Sequence, residues 1–415
     1  MVRGGGFWLL TTCYKYMSIV VQKYGGSSVA DTYRILGVAE RIVKRRQQGD
    51  DLVVVVSAMA NTTDSLIQLA RQIDGHPPER EYDMLLTAGE RISMALLSMA
   101  IQKLGKRAVS FTGSQSGIIT DGDHTRARII EVRPTRIIET LNAGDIAIVA
   151  GFQGVSGKRD ITTLGRGGSD TTAVALGAAL GAEICEIYTD VEGIFSADPN
   201  RIPNTELLPE ITFEQTLDLA YFGAKVLHSR AVELARSASL PLRVASSITE
   251  RKGTSIVEKI IGMEQPRFVA ISKRDDICLC SIEVADVKDN SDIFSKLDKE
   301  RVQIGFPRTQ TTPAGWETTF WVPKTDAERV RSILTEANLQ LNCDVCLLAL
   351  VGHEIAQRAV VIREVMEFLL EQKAELLLVN TTQVSVMIVV PSGCGAKLEE
   401  ALHNKFVKGS SFEVY

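Results

Sequence analysis

The sequence predicts an α/β layered fold with a mainly parallel sheet, followed by two smaller βαββαβ modules. In the first 250 residues, short runs of Val, Ile and Ala alternate with helical stretches. Most of these apolar runs are continuous, which is typical of parallel strands buried on both faces. Beyond the segment 251–266 the rhythm changes to two similar units of about seventy residues, which indicates repeated ferredoxin-like modules.

The order of elements in the first part of the chain predicts a sheet covered by helices. The predicted strands are Ile19–Gln22, Leu52–Ser57, Val109–Thr112, Ile146–Gly151, Ile184–Thr189 and Leu242–Ala245. The predicted helices are Ala30–Gln48, Thr63–Ile73, Asp83–Leu104 and Thr171–Leu180. Ligands bind beyond the carboxyl ends of such strands, so motifs that follow strands are candidate site residues.

The two modules are predicted from a second pattern of short strands and helices. The first contains Cys278–Ala285, Ser291–Arg301, Val302–Thr309, Trp316–Val322 and Asp326–Asn338. The second contains Val345–Val351, Ala359–Gln372, Leu376–Asn380, Val384–Val390 and Lys397–Phe406. The predicted division of the chain is an extension at 1–17, a main domain at 18–250, a linker at 251–266 and the modules at 267–415.

Composition excludes several classes of function. The net charge of −5 and the absence of a basic stripe argue against nucleic-acid binding. No apolar run reaches the roughly 18 residues of a membrane span. Two interpretations are open for the residues before Met17. They are either an N-terminal extension, ordered or disordered, or the result of a misplaced start codon. Their apolar stretch, about four residues long, is too short for a signal peptide, so export is not expected.

The cysteines predict a reduced, cytoplasmic protein. Their number, seven, is odd, and Cys343 and Cys346 have CxxC spacing without a second pair or nearby His pair. Because they lie in an apolar run, we interpret them as two buried thiols rather than a zinc or redox site.

The run from Thr162 to Ala173 is the most informative part of the sequence. Three glycines allow a close approach of the backbone to a ligand, and they are Gly165, Gly167 and Gly168. Backbone N–H groups at the start of a helix favour an anion, and Arg166 adds a planar fork for a carboxylate or phosphate. Asp170 adds the opposite charge. The alternative interpretation is a strand–helix turn with a Ser or Asp N-cap and a surface ion pair.

Other candidates lie near predicted strand ends. Lys23 precedes two glycines and can place a point charge on phosphate oxygens, although a surface lysine before a turn is an equal alternative. Thr63 lies at the start of a helix, where an N-cap is the alternative role. Glu90 lies among Met, Leu and Ala and needs a partner if it is buried, whereas an exposed helical Glu is the alternative.

A further segment suits a nucleotide. Thr189 and Asp190 offer a hydroxyl and a carboxylate to a ribose or base, and Phe195 can pack beside an adenine or in the core. Lys225 can reach the nucleotide as a second lysine. Two lysines, one arginine, several glycine turns and few general bases suit phosphoryl transfer. The chain lacks the Walker sequence and the protein-kinase motifs.

Together these segments resemble aspartate kinases of the amino-acid kinase family. The matching segments are Lys23–Val29, Leu86–Glu90, Phe111–Ile118, Gly151–Gly154, Thr163–Asp170, Tyr188–Gly193 and Phe222–His228. They occur in the family's order between about residues 18 and 250, which makes the combination specific where each motif alone is weak. The resemblance implies the three-layer amino-acid kinase fold and tandem ACT modules after it.

The resemblance also implies an activity, the ATP-dependent phosphorylation of the L-aspartate side chain to 4-phospho-L-aspartate. Catalysis would rest on Lys23, which neutralises the phosphoryl group, and Asp170, which organises substrate and lysine. Substrate contacts are assigned to Thr63, Glu90, Arg166, Gly167, Gly168 and Ser169. ATP contacts are assigned to Lys23, Tyr24, Gly25, Gly26, Ser57, Thr189, Asp190, Phe195, Asp198 and Lys225. Mg²⁺ would be held largely by the phosphates, without protein ligands.

The ACT-like modules depart from the family pattern in their effector segments. The resemblance implies dimerisation through these modules and pairing of the strand Phe268–Lys273 with the last module. The usual Pro-Gly turn is missing at Asp286–Asn290 and at Gly352–Ala356, and Asn380–Gln383 also differs. These departures argue against feedback control by lysine or threonine. The alternatives to an aspartate kinase are a family member acting on a glutamate-type substrate and a non-catalytic ACT sensor subunit.

Overall fold

A computed structural model describes residues 18–224, 226–260, 267–313, 315–335, 338–355 and 358–409. The predictions for residues 1–17 and for Lys225 fall outside these ranges. The chain divides into two compact units. The first runs to Asp190 and includes Ser237–Glu250, and the second comprises Val191–Arg236 and the chain from Arg251 onward.

Strands and helices alternate up to Asp190. The strands are β1 (Ile19–Tyr24), β2 (Asp51–Val56), β3 (Ala108–Phe111), β4 (Ile118–Thr120), β5 (Ile129–Val132), β6 (Ile146–Ala150), β7 (Gln153–Ser156), β8 (Ile161–Thr163) and β9 (Ile184–Thr189). The helices are α1 (Thr32–Gln47), α2 (Thr62–Ile73), α3 (Glu79–Leu86), α4 (Ala88–Lys103), α5 (Thr135–Asn142) and α6 (Gly168–Leu180).

The remaining elements follow in chain order. The strands are β10 (Glu210–Thr212), β11 (Leu242–Ser246), β12 (Thr254–Val257), β13 (Arg267–Arg274), β14 (Ile277–Val284), β15 (Gly305–Thr312), β16 (Gly315–Pro323), β17 (Asn338–Asn342), β18 (Val345–His353), β19 (Leu378–Thr381) and β20 (Ser385–Pro391). The helices are α7 (Phe213–Tyr221), α8 (Ser229–Ser237), α9 (Val287–Lys299), α10 (Ala327–Ile333), α11 (Ala359–Glu371) and α12 (Ser392–Leu402).

The first unit is built on a parallel sheet with the strand order β11-β9-β1-β2-β6-β3. All six of its strands were predicted from sequence. Side chains from alternate positions of β1, β2 and β6 join α1 and α4 in one apolar core. On the other face α6 packs so closely that a Cβ at Gly177 would lie 3.6 Å from Val21. The unit therefore has three layers, as predicted.

A small second sheet and a helix break were not predicted. The strands β5, β4, β7 and β8 form this sheet and insert two strands between β6 and the glycine-rich turn. They are only three or four residues long, which is too short to show a hydrophobic period. The predicted helix Asp83–Leu104 is two helices, because the buried Thr87 hydroxyl donates to the Met84 carbonyl and its backbone ends α3.

The helical stretch Glu79–Lys103 has the length and composition to cross a membrane. However, 56% of its apolar window is buried inside the protein. Its apolar side chains Leu97 and Ile101 belong to the core beneath the sheet. It is a core helix.

In the second unit, one ferredoxin-like module is inserted into the other. The first has the sheet order β15-β16-β14-β17, and the second has β13-β18-β20-β19. The strand β13 pairs antiparallel with β18, which confirms the predicted pairing of Phe268–Lys273 with the last module. Along the chain, the first module therefore comes between β13 and the other strands of the second module. The predicted helix Asp326–Asn338 is too long, because α10 ends at Ile333 and Asn338 starts β17.

A disulfide corrects the prediction for the cysteines. Cys278, next to the start of β14, is joined to Cys343, which directly follows β17. The two strands pair antiparallel, so these residues face each other across the ladder. Only Cys346 of the CxxC pair is a buried thiol. Sequence spacing could not show this pairing, because the partners are 65 residues apart.

Candidate active site

Four strand ends of the first unit lie side by side at one edge of the sheet. Tyr24 is level with Val56 and with Tyr188, and Val56 is level with Ala150. The chain then leaves β1, β2, β6 and β9 through the segments singled out from sequence. As expected for a parallel sheet, these segments gather at its carboxyl edge.

Lys23 and Asp170 form the charged centre of this edge. Lys23 Nζ lies 2.6 Å from Asp170 Oδ1, and both side chains are 12% exposed. Lys23 comes from the end of β1 and Asp170 from the first turn of α6. A mostly desolvated ion pair costs free energy, because each charge loses its hydration. Such a pair is therefore a candidate for a functional role. The arrangement keeps a cation in place beside a helix N-terminus.

The glycine-rich turn leaves the start of α6 without a side-chain cap. Gly167 occupies the N-cap position with a φ of 68°, and Gly165 has a φ of 75°. Side chains other than Gly rarely adopt these angles. The predicted alternative of a Ser or Asp cap is wrong, since Ser169 and Asp170 lie within the first helical turn. Arg166 is exposed at the tip of the turn, where its guanidinium can meet a ligand.

Glu90 is a buried carboxylate of α4 with one unused oxygen. It is 4% exposed and its Oε1 accepts a hydrogen bond from the Ala58 backbone N–H at 3.2 Å. Its Oε2 has no hydrogen-bond partner among the described residues. Burial raises the pKa of Glu90 from about 4.5 to about 7, against the opposing effect of backbone hydrogen bonds. The predicted alternative of an exposed helical Glu is wrong.

The loop after β2 connects Glu90 with the glycines after β1. Gly26 packs so tightly that a Cβ there would lie 2.8 Å from the Ala58 carbonyl oxygen. The Gly25 N–H donates to the Tyr188 carbonyl and the Ser57 N–H to the Tyr24 carbonyl. These contacts form a continuous backbone surface from β9 across β1 to the end of β2.

Thr63, Ser169 and Tyr24 have different positions relative to this surface. Thr63 is a half-buried second residue of α2, and Asn61 is the N-cap, so the alternative of a capping threonine is wrong. Ser169 is 8% exposed, and a Cβ on Gly151 would lie 2.7 Å from its Oγ. The Tyr24 side chain is fully buried and stacks on Tyr188 in the core. The Tyr24 side chain is therefore not accessible to a ligand.

The predicted nucleotide residues divide between the two units. Thr189 ends β9, and its hydroxyl donates to the exposed Asp190 carboxylate at 2.9 Å. Phe195 and Asp198 belong to the second unit. There Phe195 is half-buried, and Asp198 lies 3.3 Å from Arg201. Lys225 lies outside the described residues, so its role stays a prediction.

A polar cluster around Asp83 was missed from sequence. This residue of α3 is fully buried and accepts hydrogen bonds from His124, from the Thr125 backbone and from the Thr163 hydroxyl. Its signal in the sequence is weak, because an Asp near a helix start reads as an exposed residue. Only the fold brings residues 83, 124 and 163 together.

The edge can accept an anion beside a cation and hold an ammonium group in the same site. Lys23 and the uncapped α6 offer positive charge, and Glu90 offers a buried carboxylate. The described residues contain no group of three or more His, Cys, Asp or Glu side chains that could hold a metal. This set of groups suits charge neutralisation and positioning.

The family model and the curated relatives agree on the family. The model of the amino acid kinase family matches residues 18–246. Aspartokinase of Corynebacterium efficiens is 42% identical over 412 residues, which cover 96% of this chain and 98% of the relative. Aspartokinase of Mycobacterium tuberculosis strain H37Rv is 58% identical over 259 residues, 62% of each chain.

A solved structure has the same fold over nearly the whole length. The crystal structure of aspartokinase III of E. coli in complex with aspartate and ADP matches with a TM-score of 0.80 and 24% identity. The match covers 93% of this chain and 99% of that one. The chain therefore belongs to the amino-acid kinase family and, within it, to the aspartokinases.

Proposed function

We propose that the protein transfers the γ-phosphoryl group of ATP to the side-chain carboxylate of L-aspartate and releases ADP and 4-phospho-L-aspartate. Family membership supports the reaction, and the aspartokinase III structure contains aspartate and ADP. The observation that carries the proposal is the Lys23–Asp170 pair at the uncapped start of α6, on the same sheet edge as buried Glu90. A glutamate-type acceptor is not favoured, since the relatives are aspartokinases.

The chemistry needs little covalent help from the protein. A carboxylate oxygen of aspartate attacks the γ-phosphorus, the bond from that phosphorus to the bridging oxygen breaks, and ADP leaves with the electron pair. Because the attacking carboxylate is ionised at neutral pH, no general base is required. Lys23 compensates the negative charge of the phosphoryl group in transit, and Asp170 holds the Lys23 amino group at 2.6 Å.

Substrate contacts follow from the charges of aspartate. Glu90 Oε2, buried and without a partner among the described residues, pairs with the α-ammonium group. The Arg166 fork pairs with the α-carboxylate, helped by Thr63, Ser169 and the backbone at the start of α6. The nucleotide lies along the loops that follow β1, β2 and β9. Its contacts there are Gly25, Gly26, Ser57, Thr189 and Asp190.

Magnesium accompanies the nucleotide in this proposal. The residues at the edge fit an ion brought by ATP phosphates rather than a protein cage, because the Asp170 carboxylate is already paired with Lys23. When bound, the ion supplies charge compensation on the phosphates. Supply of ATP makes the cytoplasm the proposed compartment.

The test is trapping of the acyl phosphate by hydroxylamine, with ATP and either L-aspartate or L-glutamate. We expect hydroxamate with aspartate and none with glutamate. Turnover of glutamate alone would identify a different kinase of the same fold, and absence of product with both would identify a non-catalytic subunit.

The modules are proposed to form a homodimer without lysine or threonine control. The turn before α9 supports the absence of this control, because the Asp286 carboxylate accepts a hydrogen bond from the Lys288 N–H at 3.0 Å. A backbone group that an effector would need is thus already satisfied. Light scattering should give a dimeric mass, and adding either amino acid to the hydroxamate assay should leave the rate unchanged.

A further inference from the structure

We propose that Asp83, His124 and Thr163 act together as positioning residues for the aspartate side of the site. They hold the loop 123–127 and the end of β8, and these two segments in turn support the turn 164–168 that carries Arg166. This inference rests on the proposed function of that turn. None of the three residues touches the reacting atoms.

Asp83 is the centre of this cluster. Its Oδ2 lies 2.8 Å from His124 Nδ1, and its Oδ1 accepts from the Thr163 hydroxyl at 2.6 Å. The Thr125 N–H donates to both carboxylate oxygens, at 3.1 and 3.0 Å. The side chain is fully buried, so these donors replace its lost hydration. A buried charge held in this way fixes the relative positions of its donors.

The loop 123–127 adopts a backbone conformation that needs such support. Thr125 has a φ of 66°, a left-handed angle that is unfavourable for a β-branched residue. Its amide is the group that donates to both oxygens of Asp83. Strained backbone persists where the surroundings over-determine it, and it clusters at ligand sites.

The loop 123–127 contacts the glycine-rich turn directly. The Ala127 N–H donates to the Thr163 carbonyl at 2.8 Å, two residues before Gly165. A Cβ on Gly165 would lie 3.1 Å from the Thr125 carbonyl oxygen, so the turn rests on the loop at this point. Movement of Thr125 therefore displaces the turn that presents Arg166.

A matched pair of variants separates positioning from general stability. Thr163→Val removes the hydroxyl that bonds Asp83, and Thr162→Val removes the neighbouring buried hydroxyl that bonds Thr120 at 2.6 Å. Both side chains are at most 1% exposed, and both changes replace a hydroxyl by a methyl group. Both should lower the thermal midpoint, Thr163→Val by more, because its hydroxyl bonds a carboxylate and that of Thr162 bonds another hydroxyl. Asp83→Asn is less useful, because losing this charge endangers folding.

We expect Thr163→Val to raise the KM for aspartate about tenfold, because small misplacements at a site are costly. Its KM for ATP should stay unchanged, and Thr162→Val should leave both constants within about twofold. Equal aspartate KM values in the two variants would overturn the inference. So would a parallel rise of both KM values in Thr163→Val.

Two substitutions of His124 test the geometry of the cluster. In His124→Asn the amide nitrogen takes the place of Nδ1 and can still donate to Asp83, whereas in His124→Gln it takes the place of Nε2. The Asn variant should keep the wild-type aspartate KM and the Gln variant should resemble Thr163→Val. The same aspartate KM in both variants would contradict the proposed geometry.

Hydrogen exchange keeps this test independent of the activity. The amides of Leu164 and Gly168 are bonded to Phe152 and Gly165 carbonyls, and they should exchange faster in Thr163→Val than in Thr162→Val. If the wild type fails to make hydroxamate, the proposed function fails, and the exchange rates still decide whether the cluster holds the turn. Equal exchange in both variants would overturn the inference.

Discussion

Two helices of this protein begin in opposite ways. The N-cap of α6 is Gly167, which has a left-handed backbone and offers no side-chain acceptor. The N-cap of α9 is Asp286, whose carboxylate accepts a hydrogen bond from the Lys288 N–H. The first has no side-chain acceptor for its N–H groups and lies beside Lys23, whereas the second satisfies a donor with its own side chain. The difference separates the helix start that is proposed to bind a ligand from one that is stabilised by its own cap.

Removing the cation beside α6 should have the largest effect. We expect Lys23→Met to lower kcat by about 10³-fold, because one charge at the transferring group is worth that much. Steady-state kinetics with ATP and aspartate measure it. The double variant Lys23→Met/Asp170→Asn controls for the unpaired carboxylate, and should recover stability but not turnover. Near-normal kcat in the single variant would refute the role of Lys23.

On the other side of the comparison, the module containing α9 is stabilised by a covalent link. Cys343→Ser opens the disulfide to Cys278, which closes a separation of 65 residues. For such a loop the chain-entropy model gives a loss of about 4 kcal/mol in the free energy of unfolding, and typical disulfides contribute about 2–4 kcal/mol. Hydrogen exchange in β14 and β17 should increase. Cys280 is a buried free thiol of β14, so Cys280→Ser controls for the effect of placing a serine in this module without breaking a disulfide. Equal exchange in both variants would contradict the assignment.

The buried carboxylate near α6 should give a pH dependence. In the folded protein the pKa of Glu90 is raised to about 7, so below that pH the group is neutral and binds an ammonium poorly. The kcat/KM for aspartate should fall about tenfold per unit below pH 7, while kcat at saturation changes less. In Glu90→Gln, kcat/KM for aspartate should be low and should not change with pH over this range. A flat profile in the wild type would contradict the role of Glu90.

The same shift affects stability in the opposite direction. A carboxyl group with a raised folded pKa binds more protons in the folded state between pH 4.5 and 7. Its contribution to stability is therefore full below about 4.5 and is lost as pH rises through about 7. Denaturant unfolding across this range measures the free energy of unfolding of the wild type and of Glu90→Gln. The difference, wild type minus variant, should fall as pH rises from about 4.5 to about 7.

The smallest effect should come from the cap of α9. Asp286→Ala is expected to destabilise this helix by about 1 kcal/mol, the typical loss for an N-cap. Asp286→Asn keeps an acceptor and should lose less. Neither variant should change kcat, since Asp286 lies in a module and not at the sheet edge. Exchange rates in the first turn of α9 report the change. The same exchange rates in Asp286→Ala as in the wild type would show that the cap contributes nothing.

Prediction from sequence succeeded where the residue pattern is local. The continuous apolar runs identified the six strands that the first unit contributes to the parallel sheet, and the rule for strand ends gathered Lys23, Ser57 and Thr189 at one edge. It failed for β7 and β8, whose few polar residues carry no period. It also failed for the disulfide, whose partners meet only through the pairing of β14 with β17.

The amino-acid sequence by itself determined the layered fold, the family and the chemical types at the site, because hydrophobic periodicity and ordered motifs are written locally along the chain. Only the tertiary structure decided which groups are buried and paired. Glu90 and Asp83 are both acidic helical residues, yet one keeps a free oxygen and the other is fully bonded. Burial and partners depend on residues distant in sequence, which meet only when the sheet and its loops are assembled.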